Sequence, residues 1–194
     1  MFSGFLTVNY TTGSHLFFLL QIAENNPQNA PLVLWLQGGP GWPSSYGAFK
    51  EVGSFYVLQQ AGEPPRLMEN PERWSQDAHI LFIDSPVGTG FSYTEKEEGY
   101  PTDDDMVAVH LVEALIQVLV FGFIKLNTVI VFKISDLMMH FVPGSTWHLP
   151  IFIFGESYGG AYAVSVARKI QEYKKNGYLD MEELDVRGVG IGNG

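Results

Sequence analysis

Ser157 stands at the centre of Gly155-Glu156-Ser157-Tyr158-Gly159, a G-x-S-x-G pentad. It follows an apolar run, Pro150-Ile151-Phe152-Ile153-Phe154, and precedes a helix-patterned segment from Ala161 to Lys174. Between a strand and a helix this pattern makes a nucleophile elbow. The turn is so sharp that the serine takes strained backbone angles, and small residues two before and two after it prevent a clash. The hydroxyl is thereby lifted to the top of a sheet, near the positive end of a helix dipole. Acyl transfer through a covalent intermediate is the chemistry that needs such a serine. Without the flanking strand and helix, the pentad would read as a chance glycine loop.

A second cluster supplies what that chemistry requires next. Leu32-Val33-Leu34-Trp35-Leu36 reads as a buried strand running into Gln37-Gly38-Gly39-Pro40-Gly41. Glycines directly after a strand let the backbone turn and present bare N–H groups. An acyl-transfer site needs two such donors aimed at the oxyanion, one beside the nucleophile and one from an early strand–helix loop. Gly39 and Tyr158 are the natural pair of amides. A plain Gly/Pro turn is the competing reading of this cluster taken alone.

Three stretches together resemble one known family. They are Trp35 to Gly41, then Phe82-Ile83-Asp84-Ser85-Pro86-Val87-Gly88-Thr89-Gly90-Phe91-Ser92-Tyr93, then Gly155 to Gly160. In sequence and order they are similar to the serine carboxypeptidases, over residues 2 to 117 and 150 to 194. The opening Phe2-Ser3-Gly4-Phe5-Leu6-Thr7-Val8 and the closing Gly190-Ile191-Gly192-Asn193-Gly194 fit the same family, and Gln37 makes the chain most similar to its vitellogenic-like members. The resemblance implies an α/β-hydrolase fold. It also implies a serine-type peptidase that releases C-terminal residues through an acyl-enzyme, lysosomal or secreted, without a cofactor. Ser157 would be the nucleophile, with the Gly39 and Tyr158 amides as the oxyanion hole. Glu51 and Glu156 would grip the substrate's terminal carboxylate together with Gln37 and the Gly38 backbone.

That grip has its own physics. Two ionised glutamates repel a carboxylate, so at least one must carry a proton and donate it. Two carboxyls sharing a site raise one titration, because the second ionisation meets the first charge. Binding is then best at acidic pH, while the Gln37 amide donates at any pH. An arginine clamp would bind more tightly and lack the pH dependence. A solvated helix residue is the competing reading of Glu51, and a filler at the x position that of Glu156.

The order of residues sets a further expectation. His15, His79, His110, His140 and His148 all precede Ser157, whereas α/β-hydrolases run Ser, then Asp or Glu, then His. Asp180 and Asp185 fall close to the elbow helix. The chain of 194 residues is thus expected to be the N-terminal part of a single α/β-hydrolase domain, incomplete in its later strands and lid. The triad acid and imidazole would be missing, and peptidase activity of the chain as written negligible. A strand at Val186–Gly194 would leave an uncovered edge. No signal-peptide pattern opens the sequence.

A net charge of −10 argues against nucleic-acid binding. With no cysteine and scattered histidines, no metal site is expected. Asn9-Tyr10-Thr11 is an N-glycosylation sequon in an expected surface turn. Strands are expected at Phe5–Asn9, Leu16–Gln21, Leu32–Leu36, His79–Asp84 and Pro150–Phe154. Helices are expected at Ser45–Glu51 and Asp104–Gln117, and a Pro/Gly-containing loop between Glu51 and His79. Alternating strand and helix predicts a mainly parallel sheet with its site at the strands' C-terminal ends. Tyr93 reads either as a substrate-pocket wall or as part of a structural turn.

Residues 118–149 fit the family pattern poorly. Lys125 and Lys133 interrupt the apolar run, which falls short of the about 20 residues of a membrane span. An atypical buried insertion and translated intron sequence are both open readings. Two other function classes also stand: a lipase or esterase of the same fold, and a non-catalytic short isoform acting by binding. The paired acids have no purpose in the former; the latter predicts a stable product of this length. The partners of the leading reading are peptides with a free C-terminus.

Overall fold

A computed structural model of the chain describes residues 1–118, 149–178 and 184–194. The expected insertion falls almost wholly at 119–148, outside the described residues, with His140 and His148; Asp180, within 179–183, also lies outside them.

Strand β3 (Leu32–Leu36) is buried at every position because it is covered on both faces. Leu32, Leu34 and Leu36 join the larger core, while Val33 and Trp35 join a smaller one on the opposite face. Strand β6 (His79–Ile83) repeats the division, with Leu81 and Ile83 on one side and Ile80 and Phe82 on the other. A doubly covered sheet selects near-continuous apolar runs, the pattern these segments show.

The sheet order is β1 (Phe2–Asn9), β2 (Ser14–Gln21), β6, β3, β8 (Ile151–Glu156), β9 (Val186–Gly192). From β6 to β9 every pairing is parallel, and β1 and β2 form an antiparallel hairpin at one side. The short β7 (Tyr93–Thr94) also pairs with β2. Helices α2 (Asp104–Ile116) and α3 (Gly159–Lys175) cover the larger core, contributing Leu111, Leu115, Tyr162 and Val166. The Asp103 carboxylate caps α2 by accepting the Met106 N–H at 2.8 Å, satisfying one of the orphan amides of that end. Lys169, buried on α3, reaches Asp105 of α2 at 2.8 Å and Glu172 at 3.1 Å. Among the described residues the opposite face carries the short α1 (Ser45–Lys50), which buries Ala48 against Trp35 and Val33.

Several expected bounds are adjusted, among them β2, which begins at Ser14, and β8, which runs on to Glu156. α3 begins at Gly159, two residues earlier than the sequence pattern placed it, and β1 begins at Phe2. The expected loop after Glu51 contains a small antiparallel ribbon, β4 (Phe55–Leu58) with β5 (Arg66–Glu69). Phe55-Tyr56-Val57-Leu58 has the aromatic and branched residues that favour extended backbone.

Candidate active site

β8 ends at Glu156 and α3 begins at Gly159, so Ser157 must turn the chain between them. Its φ is +53°, the left-handed region that a side chain with a Cβ enters only at a cost. The Ser157 N–H donates to Gly192 O of β9 at 2.8 Å, and its carbonyl accepts from Gly160 N–H at 3.0 Å. The glycines of the pentad are sterically required. A Cβ on Gly155 would strike the Gly159 carbonyl, and one on Gly159 would strike Leu36 O at the end of β3.

The Gln37-Gly38-Gly39 turn runs directly against this elbow. A Cβ on Gly38 would lie 2.6 Å from Glu156 O, 2.7 Å from Tyr158 N and 2.9 Å from Ser157 Cβ. Gly39, with φ +110°, follows in a conformation suited to glycine. Among the described residues neither the Gly39 nor the Tyr158 N–H has a hydrogen-bond partner. Two free amides on adjoining turns, beside a serine hydroxyl, can stabilise an oxyanion.

A cleft of about 240 Å³ is lined by Gln37, Gly38, Gly39, Trp42, Tyr46, Glu51, Glu156 and Ser157. Gln37 is buried, and its amide joins three side chains. Its Oε1 accepts from Trp35 Nε1 at 3.0 Å, which fixes which end is oxygen, and its Nε2 donates to Glu51 Oε1 at 3.3 Å and Glu156 Oε2 at 3.2 Å. Burial pushes the Glu51 carboxyl above the ordinary carboxylate range; the Gln37 hydrogen bond opposes this and the Glu156 charge adds to it. Among the described residues Glu51 Oε2 is buried without a partner, a cost that a ligand atom would relieve.

A family model for serine carboxypeptidases matches residues 1–126 and 140–194. The chain belongs to the serine carboxypeptidase family. It is 37% identical over 193 residues to the venom serine carboxypeptidase of Apis mellifera and 33% identical over 193 residues to the vitellogenic carboxypeptidase of Aedes aegypti. Each alignment covers 100% of this chain and 35% of the relative; the chain thus spans about a third of the length of these curated relatives. Among solved structures it is similar to Kex1(delta)p, a prohormone-processing carboxypeptidase from Saccharomyces cerevisiae. The TM-score is 0.72 at 27% identity, over 99% of this chain and 38% of that one. The mostly parallel sheet with its elbow is the corresponding part of an α/β-hydrolase fold.

The structure brings together seven of the residues singled out in the sequence: Gln37, Gly38, Gly39, Glu51, Glu156 and Ser157 line the cleft, and the Tyr158 amide adjoins it. The Tyr158 side chain leaves it, donating from its phenol to Asp104 Oδ2 at 3.0 Å. Trp42 and Tyr46 also line the cleft, their rings 5.1 Å apart edge to face. Sequence reasoning passed over both, and their place just behind the glycine turn was the available signal. Tyr93 is not a wall of the cleft: it stacks on His15 at 4.8 Å and packs on Phe5.

The described histidines have other occupations. His79 Nδ1 accepts the Ala23 N–H at 3.1 Å, so its Nε2–H donates to Pro27 O at 2.9 Å. His15 bonds Thr7 Oγ1, and His110 is buried in α2. Among the described residues no group of His, Cys, Asp and Glu could hold a metal ion, and no helix is long and apolar enough to cross a membrane.

Proposed function

We propose that this chain carries the nucleophile, oxyanion and carboxylate-binding parts of a serine-type carboxypeptidase, which removes single residues from peptides with a free C-terminus. The Ser157 hydroxyl attacks the last peptide carbonyl, forming the Oγ–C bond while the carbonyl oxygen becomes an oxyanion between the Gly39 and Tyr158 amides. Collapse breaks the C–N bond, the leaving amine takes a proton, and water releases the acyl group from Ser157. Gln37, Gly38, Glu51 and Glu156 hold the terminal carboxylate. The observation that carries this reading is the Gln37 amide bridging two acids in the cleft that Ser157 lines.

With Gln37 Nε2 occupied by both acids, a carboxylate needs a further donor, and Glu51 Oε2 supplies it when protonated. Burial favours that protonated form. The imidazole that takes the Ser157 proton comes from outside the described residues, since His15, His79 and His110 do not line the cleft. Residues 1–194 accordingly form the N-terminal part of one α/β-hydrolase domain, and 118–149 is either an insertion or translated intron. Sequencing the spliced transcript across 118–149 and past Gly194 decides between these.

The working protein is lysosomal or secreted and glycosylated at Asn9. The sequon's Tyr10 is exposed and Asn9 Oδ1 accepts the Thr11 N–H at 3.0 Å in the β1–β2 turn. Endoglycosidase treatment of secreted protein should sharpen its mobility, and Asn9→Gln should remove that response. The decisive assay compares a peptide with its C-terminally amidated form, using the complete protein. Release from the free acid alone supports the proposal; equal cleavage of amide or simple ester substrates favours a lipase or esterase instead.

A further inference from the structure

Asn70 contributes no atom to the cleft, yet it is fully buried at 0% exposure. It follows β5, and its side-chain amide reaches back to the end of α1. Nδ2 donates to Glu51 O at 2.9 Å and to Gly53 O at 2.9 Å, while Oδ1 accepts the Glu72 N–H at 2.9 Å. Both amide hydrogens are thus spent on the peptide groups that bracket one short turn.

That turn carries the acid nearest Gln37 on this side of the cleft. α1 ends at Lys50, and Glu51 leaves helical geometry with φ −130° and ψ −93°. Carbonyls at a helix end have no intrahelical partner, and here the Glu51 carbonyl takes Asn70 Nδ2 together with the Tyr56 hydroxyl at 3.3 Å. The Glu51 N–H is held in turn by Gly47 O at 3.2 Å. Gly53 lets the chain fold back so tightly that a Cβ there would strike the Ala48 carbonyl. With N–H and C=O both fixed, the Glu51 side chain projects from a pinned backbone toward Gln37 Nε2.

We propose that Asn70 is a positioning residue for the acid pair: its buried amide clamps the turn that presents Glu51 to Gln37 and to a bound carboxylate. The inference rests on reading Gln37, Glu51 and Glu156 as the carboxylate grip. A primary amide suits the position because it supplies two donors and an acceptor without charge. A carboxylate there would set an anion against two carbonyl oxygens, and an apolar isostere would strip the Gly53 carbonyl of this donor and leave the Glu51 carbonyl with the Tyr56 hydroxyl alone.

The test uses the complete protein bearing Ser157→Ala, so that peptides bind without being cleaved. Calorimetry measures an N-acetylated apolar dipeptide as the free acid and as the amide, across pH. Asn70→Asp should lower the preference for the acid about tenfold, the loss of a well-placed hydrogen bond, and leave amide affinity unchanged. It should also move the pH at which acid binding is lost, because a displaced Glu51 changes its burial, its Gln37 hydrogen bond and its distance from Glu156, and the new carboxyl lies behind the same turn. Equal loss for acid and amide, or an unmoved preference and pH profile, overturns the inference. Should Asn70→Asp fail to fold, Tyr56→Phe removes a single bond to the same carbonyl and should lower the preference about twofold; no change there overturns it as well. If the parent protein itself does not prefer the acid, the carboxylate reading fails, and the inference falls with it.

Discussion

At the elbow, position is fixed by what the residues lack. Gly155, Gly159 and Gly38 bring three backbones together at distances no Cβ could occupy, and Ser157 is forced to φ +53° between them. Across the cleft the acids are fixed by what their neighbours donate. Gln37 bridges Glu51 and Glu156, Trp35 orients Gln37, and Asn70 holds the Glu51 backbone. The first wall is steric and close to all-or-none; the second is a network of single hydrogen bonds, each of modest worth. Shape therefore decides where Ser157 stands, and graded polar contacts decide how the two acids are held.

Breaking the steric wall should have the largest effect. Gly159→Ala drives a Cβ into Leu36 O, with Leu36 C at 3.0 Å and Gln37 C at 3.1 Å behind it. Because backbone on both sides must move, a loss of about 3 kcal/mol or more is expected, read by urea denaturation. Gly192→Ala, on β9 opposite the same elbow, meets nothing within 4 Å and should change stability by less than about 0.5 kcal/mol. Similar losses at the two positions would show that the elbow's glycines are not sterically special.

The polar wall should fail by degrees. Gln37→Leu removes both donors to the acids and the acceptor for Trp35 Nε1. With both acids released from the amide that holds them in place, affinity for a free-acid peptide should drop about tenfold, with amide affinity little altered. Smaller and sharper is the effect of pH. Acid-peptide affinity should be high while Glu51 is protonated and fall as pH rises through its raised value, a limb absent in Glu51→Gln. Stability has the same sign. A carboxyl raised on folding binds its proton more tightly in the folded chain, so the cost of ionising it is absent below the ordinary carboxylate range and complete above the raised value. Glu51→Gln should thus gain stability over the parent at neutral pH and little at acidic pH; a gain independent of pH would mean Glu51 is not the titrating group.

The two walls also differ in how far the sequence reveals them. A steric requirement leaves a glycine at a fixed offset, so the elbow and the Gln37-Gly38-Gly39 turn could be read directly. The doubly covered strands β3 and β6 are legible for a similar reason, since burial on both faces dictates an unbroken apolar run. Strand β5 gives no such signal, because its residues are all exposed, and β4 offers only the short run Phe55-Tyr56-Val57-Leu58, half of it exposed. Asn70-Pro71 reads locally as the start of a turn, while its partners Glu51 and Gly53 stand 19 and 17 residues back. Hydrogen-bond networks that close across such spans depend on the fold itself. Trp42 and Tyr46 fall between these cases: one exposed aromatic in a loop and one on the short α1 make no period to betray them, and only the folded cleft gives them a role.

Tyr158 combines a backbone amide in the steric wall with a polar side chain that leaves the cleft. Its amide is part of the elbow backbone, whereas its phenol is exposed and donates to Asp104 at 3.0 and 3.3 Å. The ring also meets Tyr162 edge to face at 5.1 Å. Tyr158→Phe keeps the ring, the backbone and its free N–H, and deletes only the exposed hydrogen bond. Solvent competes for such a bond, so the denaturation midpoint should stay close to the parent's and peptide affinity should change by less than about twofold. A Phe variant whose oxyanion chemistry fell while its fold held would tie the phenol to the elbow. The backbone would then no longer be enough to set the donor, and the division between a steric wall and a polar one would fail at the residue where they meet.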